Sequence, residues 1–307
     1  MRSLSQYICF QADRISTATT KQLDLWARAI FSVALISLLI VGSITWYSSD
    51  SGYSHINAVT KSFSLITTDK LTWYFDEVTL KNINDSDISL AEVYIDFAPS
   101  QTLIVTRNYE NEIFISVKNL NDNLCNATDT SGCAWLQYTN KTNDDVDKRL
   151  PAEFDLSFKD PKASAPYYFR GQATFGTSHR DRSTSEYFPL LSGEVILYGK
   201  HTFFPNGSHY TTSPLALSIG DLVTIGAKGA TTYGVLTFQE QEGNNAMLIS
   251  ATSDSTMAFI KRYRTDELEI TNGWSSRFFN DQGLTLVWSG VVLLISVLVW
   301  LASEIRR

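Results

Sequence analysis

The stretches TWYFDEVTL at residues 72–80 and ISLAEVYIDF at residues 88–97 set the reading of the fold. In both, apolar and polar residues alternate, and the apolar positions are filled by Val, Ile, Phe, Tyr and Trp. Alternation with period two puts one set of side chains on each face of an extended chain, and β-branched and aromatic residues suit a pleated, half-buried surface. Each stretch is therefore expected to be a strand.

Working outward, the same pattern returns in TLIVTR (102–107), EIFISVK (112–118) and residues 154–158, 167–175, 193–199, 231–239, 246–251 and 257–263. Polar turns separate them, among them the Gly220-Asp221 step inside LSIGDLVTIG (217–226). No amphipathic helical pattern of ten or more residues interrupts this region. The expectation is a mainly β domain, a sandwich or barrel-like fold, with possible units at 55–150 and 151–270 divided in the Asn/Asp/Thr-rich stretch 119–150.

Two windows have a different character. Residues 29–47 (AIFSVALISLLIVGSITWY) and 284–302 (LTLVWSGVVLLISVLVWLA) contain no charged residue. At about 1.5 Å per residue each is long enough for the roughly 30 Å of bilayer hydrocarbon, and Trp46, Tyr47 and Trp300 sit where interfacial aromatics belong. The first window is too long, and follows too long a leader, for a cleaved signal peptide. Both are expected to be transmembrane helices flanking the β domain.

Arg2, Arg14, Lys21 and Arg28 precede the first window, and Arg306 and Arg307 follow the second. The positive-inside rule then puts the tails, 1–28 and 303–307, in the cytoplasm and the domain 48–283 in the periplasm, the extracellular space or a lumen. The two tails hold six of the 25 basic and three of the 32 acidic residues, which leaves 19 basic against 29 acidic outside. A domain with a net charge near −10 is ill suited to nucleic acid or anionic lipid. Export also favours a disulfide between Cys125 and Cys133, whereas Cys9 falls in the reducing compartment.

Chemistry is sparse. His55, His179, His201 and His209 form no metal-binding spacing, there is no nucleophile elbow or phosphate-binding glycine loop, and the calcium-loop pattern is missing. No metal, cofactor or catalytic residue is assigned. The densest polar cluster, His179, Arg180, Asp181 and Arg182, is a weak candidate for a ligand loop. Ser289, Ser296 and Ser303 recur every seven residues, a small-residue stripe on which helices pack closely in lipid. The expected role is non-enzymatic. The exported domain would scaffold, sense for or regulate a membrane complex, through a protein partner or self-association. The alternatives are an oligomeric channel or transporter subunit and a membrane-anchored hydrolase.

Overall fold

The computed structural model describes residues 52–83, 86–108, 110–120, 125, 132–139, 145–159, 166–176, 189–201, 208–227, 229–241, 244–262 and 266–305, with positions 32, 35–37, 39, 42 and 43. The chain is mainly β, and its described strands form one antiparallel sheet. Residues 50–199 and 209–272 make up one compact unit. Residues 200–208 and 273–307, with the described positions before 50, belong to a second.

In the β unit, β1 (Gly52–Thr60) and β2 (Ser62–Thr67) are separated only by Lys61. The Thr60 hydroxyl donates to the Ser62 carbonyl and accepts the Ser62 N–H (2.8 and 3.1 Å), which satisfies the backbone at the break. Three hairpins follow: β3 (Leu71–Ile83) with β4 (Ser86–Phe97), β5 (Gln101–Arg107) with β6 (Glu112–Asn119), and β7 (Trp135–Thr139) with β8 (Asp145–Arg149). β9 (Glu153–Lys159) lies between β3 and β6, and β7 adds to β4. Strands therefore run β8-β7-β4-β3-β9-β6-β5-β2, and β2 pairs with β10 (Tyr167–Phe175).

The far edge of β10 is shared. Its first half pairs with β15 (Thr232–Gln241), and its last two residues pair with β14 (Leu222–Ile225). From β15 the sheet continues through β16 (Asn244–Ser253) and β1 to β11 (Leu190–Lys200) and β13 (Leu215–Leu217). From β14 it continues through β17 (Met257–Lys261) to β18 (Glu267–Thr271). A short β12 (His209–Thr211) precedes β13.

Alternation builds the core. Trp73, Phe75 and Val78 of β3, Val93, Ile95 and Phe97 of β4, and Leu103 and Val105 of β5 are all buried. The Trp73 indole N–H donates to the Tyr168 carbonyl (2.8 Å), and its ring meets Phe97 and Tyr167 edge-on. Because four strands (β9, β6, β5 and β2) lie between β3 and β10 along the sheet, this contact marks a sheet that curls back on itself over an aromatic core. Phe158 and Phe238 complete that core around Tyr167.

Every strand expected from alternation is present. β1, β2, β7, β8, β12 and β18 were not expected: Ser54, His55, Asn57 and Lys61 break the apolar rhythm of the first pair, the second pair lies in the Asn/Asp/Thr-rich stretch, and β12 and β18 are short and largely exposed. Strands from either side of residue 150 interleave, with β9 between β3 and β6, and β1 between β11 and β16. A division at 150 thus falls inside continuous pairing and one buried cluster.

In the second unit, α1 (Trp274–Asn280) is followed after Asp281 by α2 (Gln282–Ile305), 24 residues long. Among the described residues no helix is long and apolar enough to cross a membrane. The window 29–47 lies mostly outside the described residues.

Candidate functional site

The outward residues of β3, β4 and β7 form the most distinctive surface of the β unit. When Trp73 and Phe75 turn inward, Tyr74 and Asp76 must turn outward; likewise Val93 and Ile95 leave Glu92 and Tyr94 outside. Pairing then sets these residues face to face. Tyr74 stands opposite Tyr94, with ring centroids 4.9 Å apart and planes at 47°. The flanking pairs Phe75–Val93 and Glu77–Ala91 bracket Asp76 opposite Glu92. On β7, Gln137 is opposite Tyr94 and Trp135 opposite Asp96.

Three aromatic side chains here keep substantial exposure: Tyr74 at 37%, Tyr94 at 49% and Trp135 at 37%. Single exposed aromatics are ordinary, but three on neighbouring strands of one face make a patch. Its two ends differ electrostatically. At one, Asp96 is buried and satisfied, accepting from Thr72 Oγ1 and from Lys70 Nζ at 2.7 Å. At the other, the like charges of Asp76 and Glu92 both lie near the Tyr74 hydroxyl, and among the described residues no Lys or Arg forms an ion pair with either. The Tyr74 hydroxyl records this setting. Partial burial of the ring comes first, and the Asp76 carboxylate and then Glu92 add to it, holding the phenol above its ordinary range. Glu92 also has a left-handed backbone, φ 55°.

A polar chain crosses the strands β16, β1 and β11. His55 Nδ1 lies 3.0 Å from Thr252 Oγ1, His55 Nε2 lies 3.1 Å from Asn57 Oδ1, and Asn57 Nδ2 donates to Glu194 at 3.5 Å. Glu194 orients the Asn57 amide, so its oxygen accepts Nε2–H and His55 Nδ1 accepts the Thr252 hydroxyl proton. That order resembles a nucleophile, a base and its orienting group. The Thr252 backbone, however, is paired on both sides, with His55 and with Tyr233. Its amide is thereby unavailable to stabilise an oxyanion. The chain clamps three strands together.

Near the start of β1, Tyr53 stacks on Tyr198 (4.4 Å, 12°) and meets His209 edge-on. Burial, then the neighbouring Tyr198, raises the Tyr53 phenol above its ordinary range.

His179, Arg180, Asp181 and Arg182 lie outside the described residues. Cys125 and Cys133 are joined, with Cα atoms 4.9 Å apart. Ser289, Ser296 and Ser303 donate back to their own helix, to the carbonyls of Thr285, Val292 and Trp300. Among the described residues no three His, Cys, Asp or Glu side chains converge. The aromatic–acidic face was not anticipated from sequence. Alternation alone places Tyr74 and Asp76 outward, but only strand pairing brings Tyr94 and Glu92 against them. No protein-family model and no curated protein matches this chain.

Proposed function

We propose that this is a two-span integral membrane protein with both termini in the cytoplasm. Its acidic β domain, held on the opposite side, scaffolds or regulates a membrane complex through protein contacts and catalyses no reaction. The observation that carries the reading is α2. From Gln282 to Ser303 it has no charged residue, and at about 1.5 Å per residue its 24 residues cover roughly 36 Å. Leu286, Val292, Leu293, Leu294, Val297, Val299 and Trp300 are all exposed. At 100° per residue these positions occupy more than half of the helix circumference, a surface that lipid solvates and water does not. The positions 32, 35–37, 39, 42 and 43 within the window 29–47 are helical, as the matching first span requires.

The test is carbonate extraction of native membranes, followed by labelling of single cysteines with a membrane-impermeant maleimide. Positions 5 and 306 should be protected in sealed cells and position 68 labelled. Release into the carbonate supernatant, or labelling of all three positions, would refute the anchoring. Purification from native membranes in a mild maltoside detergent should then bring a partner with the chain, and recovery only as a lone monomer would refute the scaffold role.

A further inference from the structure

We infer that the outer face of β3, β4 and β7 is a docking surface for an extended, lysine- or arginine-bearing segment of a protein partner. The inference rests on the partner-binding reading above and names the chemistry of the partner. The surface has what a cationic chain needs. Tyr74, Tyr94 and Trp135 present exposed rings, over which an alkyl stem or a guanidinium can lie. One step further along the same strands, Asp76 and Glu92 present carboxylates that no described cation neutralises. Two like charges this close to one phenol repel, and a bound cation turns that repulsion into attraction.

Spacing favours a chain over a small cation. Outward side chains repeat every second residue, so the rows headed by Trp135 and by Tyr94 lie about 7 Å apart, with Asp76 and Glu92 beyond the second. A segment in strand conformation carries its own alternate side chains at that interval. The face is open and lies on a sheet, unlike a closed aromatic cage around one ammonium group. The partner is a protein segment, because the exported domain's net charge near −10 opposes anionic nucleic acid and attracts basic polypeptide.

The experiment uses the full chain in neutral maltoside detergent at about 150 mM salt, where exposed charges beyond about 8 Å are screened. The probe is a synthetic peptide of about ten residues alternating lysine and threonine, which places every lysine on one face when extended. A glutamate–threonine peptide is the control. Calorimetric titration should show binding of the lysine peptide alone. D76N/E92Q and Y74A/Y94A should each weaken it about tenfold or more, the effect of losing desolvated cation contacts. E267Q/E269Q, on the exposed strand β18, should change it less than about twofold. Because D76N/E92Q removes a repulsion, this variant should melt at or above the wild-type temperature, which separates lost binding from lost folding.

No binding by the wild type, equal binding of the glutamate peptide, or equal loss in the β18 variant would overturn the inference. So would capture of phosphatidylcholine vesicles that depends on Tyr74 and Tyr94 while the peptide does not. A protein that resists carbonate and retains a partner but ignores the peptide refutes this inference alone. A protein that carbonate releases refutes the anchoring reading instead.

Discussion

His201 Nδ1 lies 2.8 Å from Asp281 Oδ1, and that same oxygen accepts the N–H groups of Gly283 and Leu284 at 3.0 and 3.3 Å. Asp281 is fully buried and caps the N-terminus of α2, where an acidic side chain meets both the unpaired amides and the positive end of the helix dipole. One carboxylate thus starts the helix and holds a histidine 80 positions earlier in the chain. Thr285 reinforces the turn: its N–H and its hydroxyl both donate to the Asp281 carbonyl.

Asp281→Ala should destabilise this turn by about 2 kcal/mol, combining a lost cap with the loss of the His201–Asp281 contact. Asp281→Asn can still cap and should cost less. Hydrogen exchange at the Gly283 and Leu284 amides measures the difference directly, and equal protection in wild type and Asp281→Ala would refute the capping role.

The Tyr74 hydroxyl should titrate above the ordinary tyrosine range, first through partial burial and then through Asp76 and Glu92. A raised folded-state value means that the fold favours the protonated phenol. Its contribution to stability is therefore fully present below about pH 10 and is lost as pH rises through the folded-state value. Difference absorbance near the tyrosinate band, wild type minus Tyr74→Phe, isolates this group. D76N/E92Q should bring its midpoint down towards the ordinary value while leaving the share due to burial.

Gly171 sits between Thr67 of β2 and Thr232 of β15, and a Cβ there would lie 2.0 Å from the Ile66 carbonyl oxygen. The obstacle is backbone, so no side chain can move aside. Gly171→Ala should cost about 3 kcal/mol and lower the yield of folded protein. Chemical denaturation of the full chain in detergent gives the value, and a loss below about 0.5 kcal/mol would show that β2 and β10 can separate freely.

The Cys125–Cys133 bond closes a short loop, with a sequence separation of 8. Loop-closure entropy assigns it about 2.5 kcal/mol. Replacing both cysteines by serine should lower the melting temperature by about 5–10 °C in a domain of this size. An unchanged melting temperature would show that the turn is held by Gln101, whose side chain spans the Ala98 N–H and the Gly132 carbonyl.

Much of the strand content was legible because burial on one face imposes a two-residue rhythm, as in Trp73, Phe75 and Val93, Ile95, Phe97. The rhythm fails where buried positions are polar. In β1 the fully buried positions include Ser54 and Thr60, so the strand reads as a loop until its neighbours β11 and β16 are in view. In β7 and β8, the apolar residues are few and the surrounding Asn, Asp and Thr mask them. The candidate site was only half legible. Tyr74 and Asp76 are outward by alternation, but their partners across the strand depend on register.

By itself the sequence determined the β class of the domain, its acidity, and two uncharged apolar windows, since each follows from composition or period along a local stretch. Only the tertiary structure decided that strands from both halves share one sheet, that the Tyr94 ring packs against Tyr74, that Asp76 and Glu92 both come near the Tyr74 hydroxyl, and that His201 reaches Asp281. Those relationships depend on which strand edges meet and in what register, and no local propensity encodes either. Register and curvature do, through the packing of Trp73, Tyr167 and Phe238 in a common core.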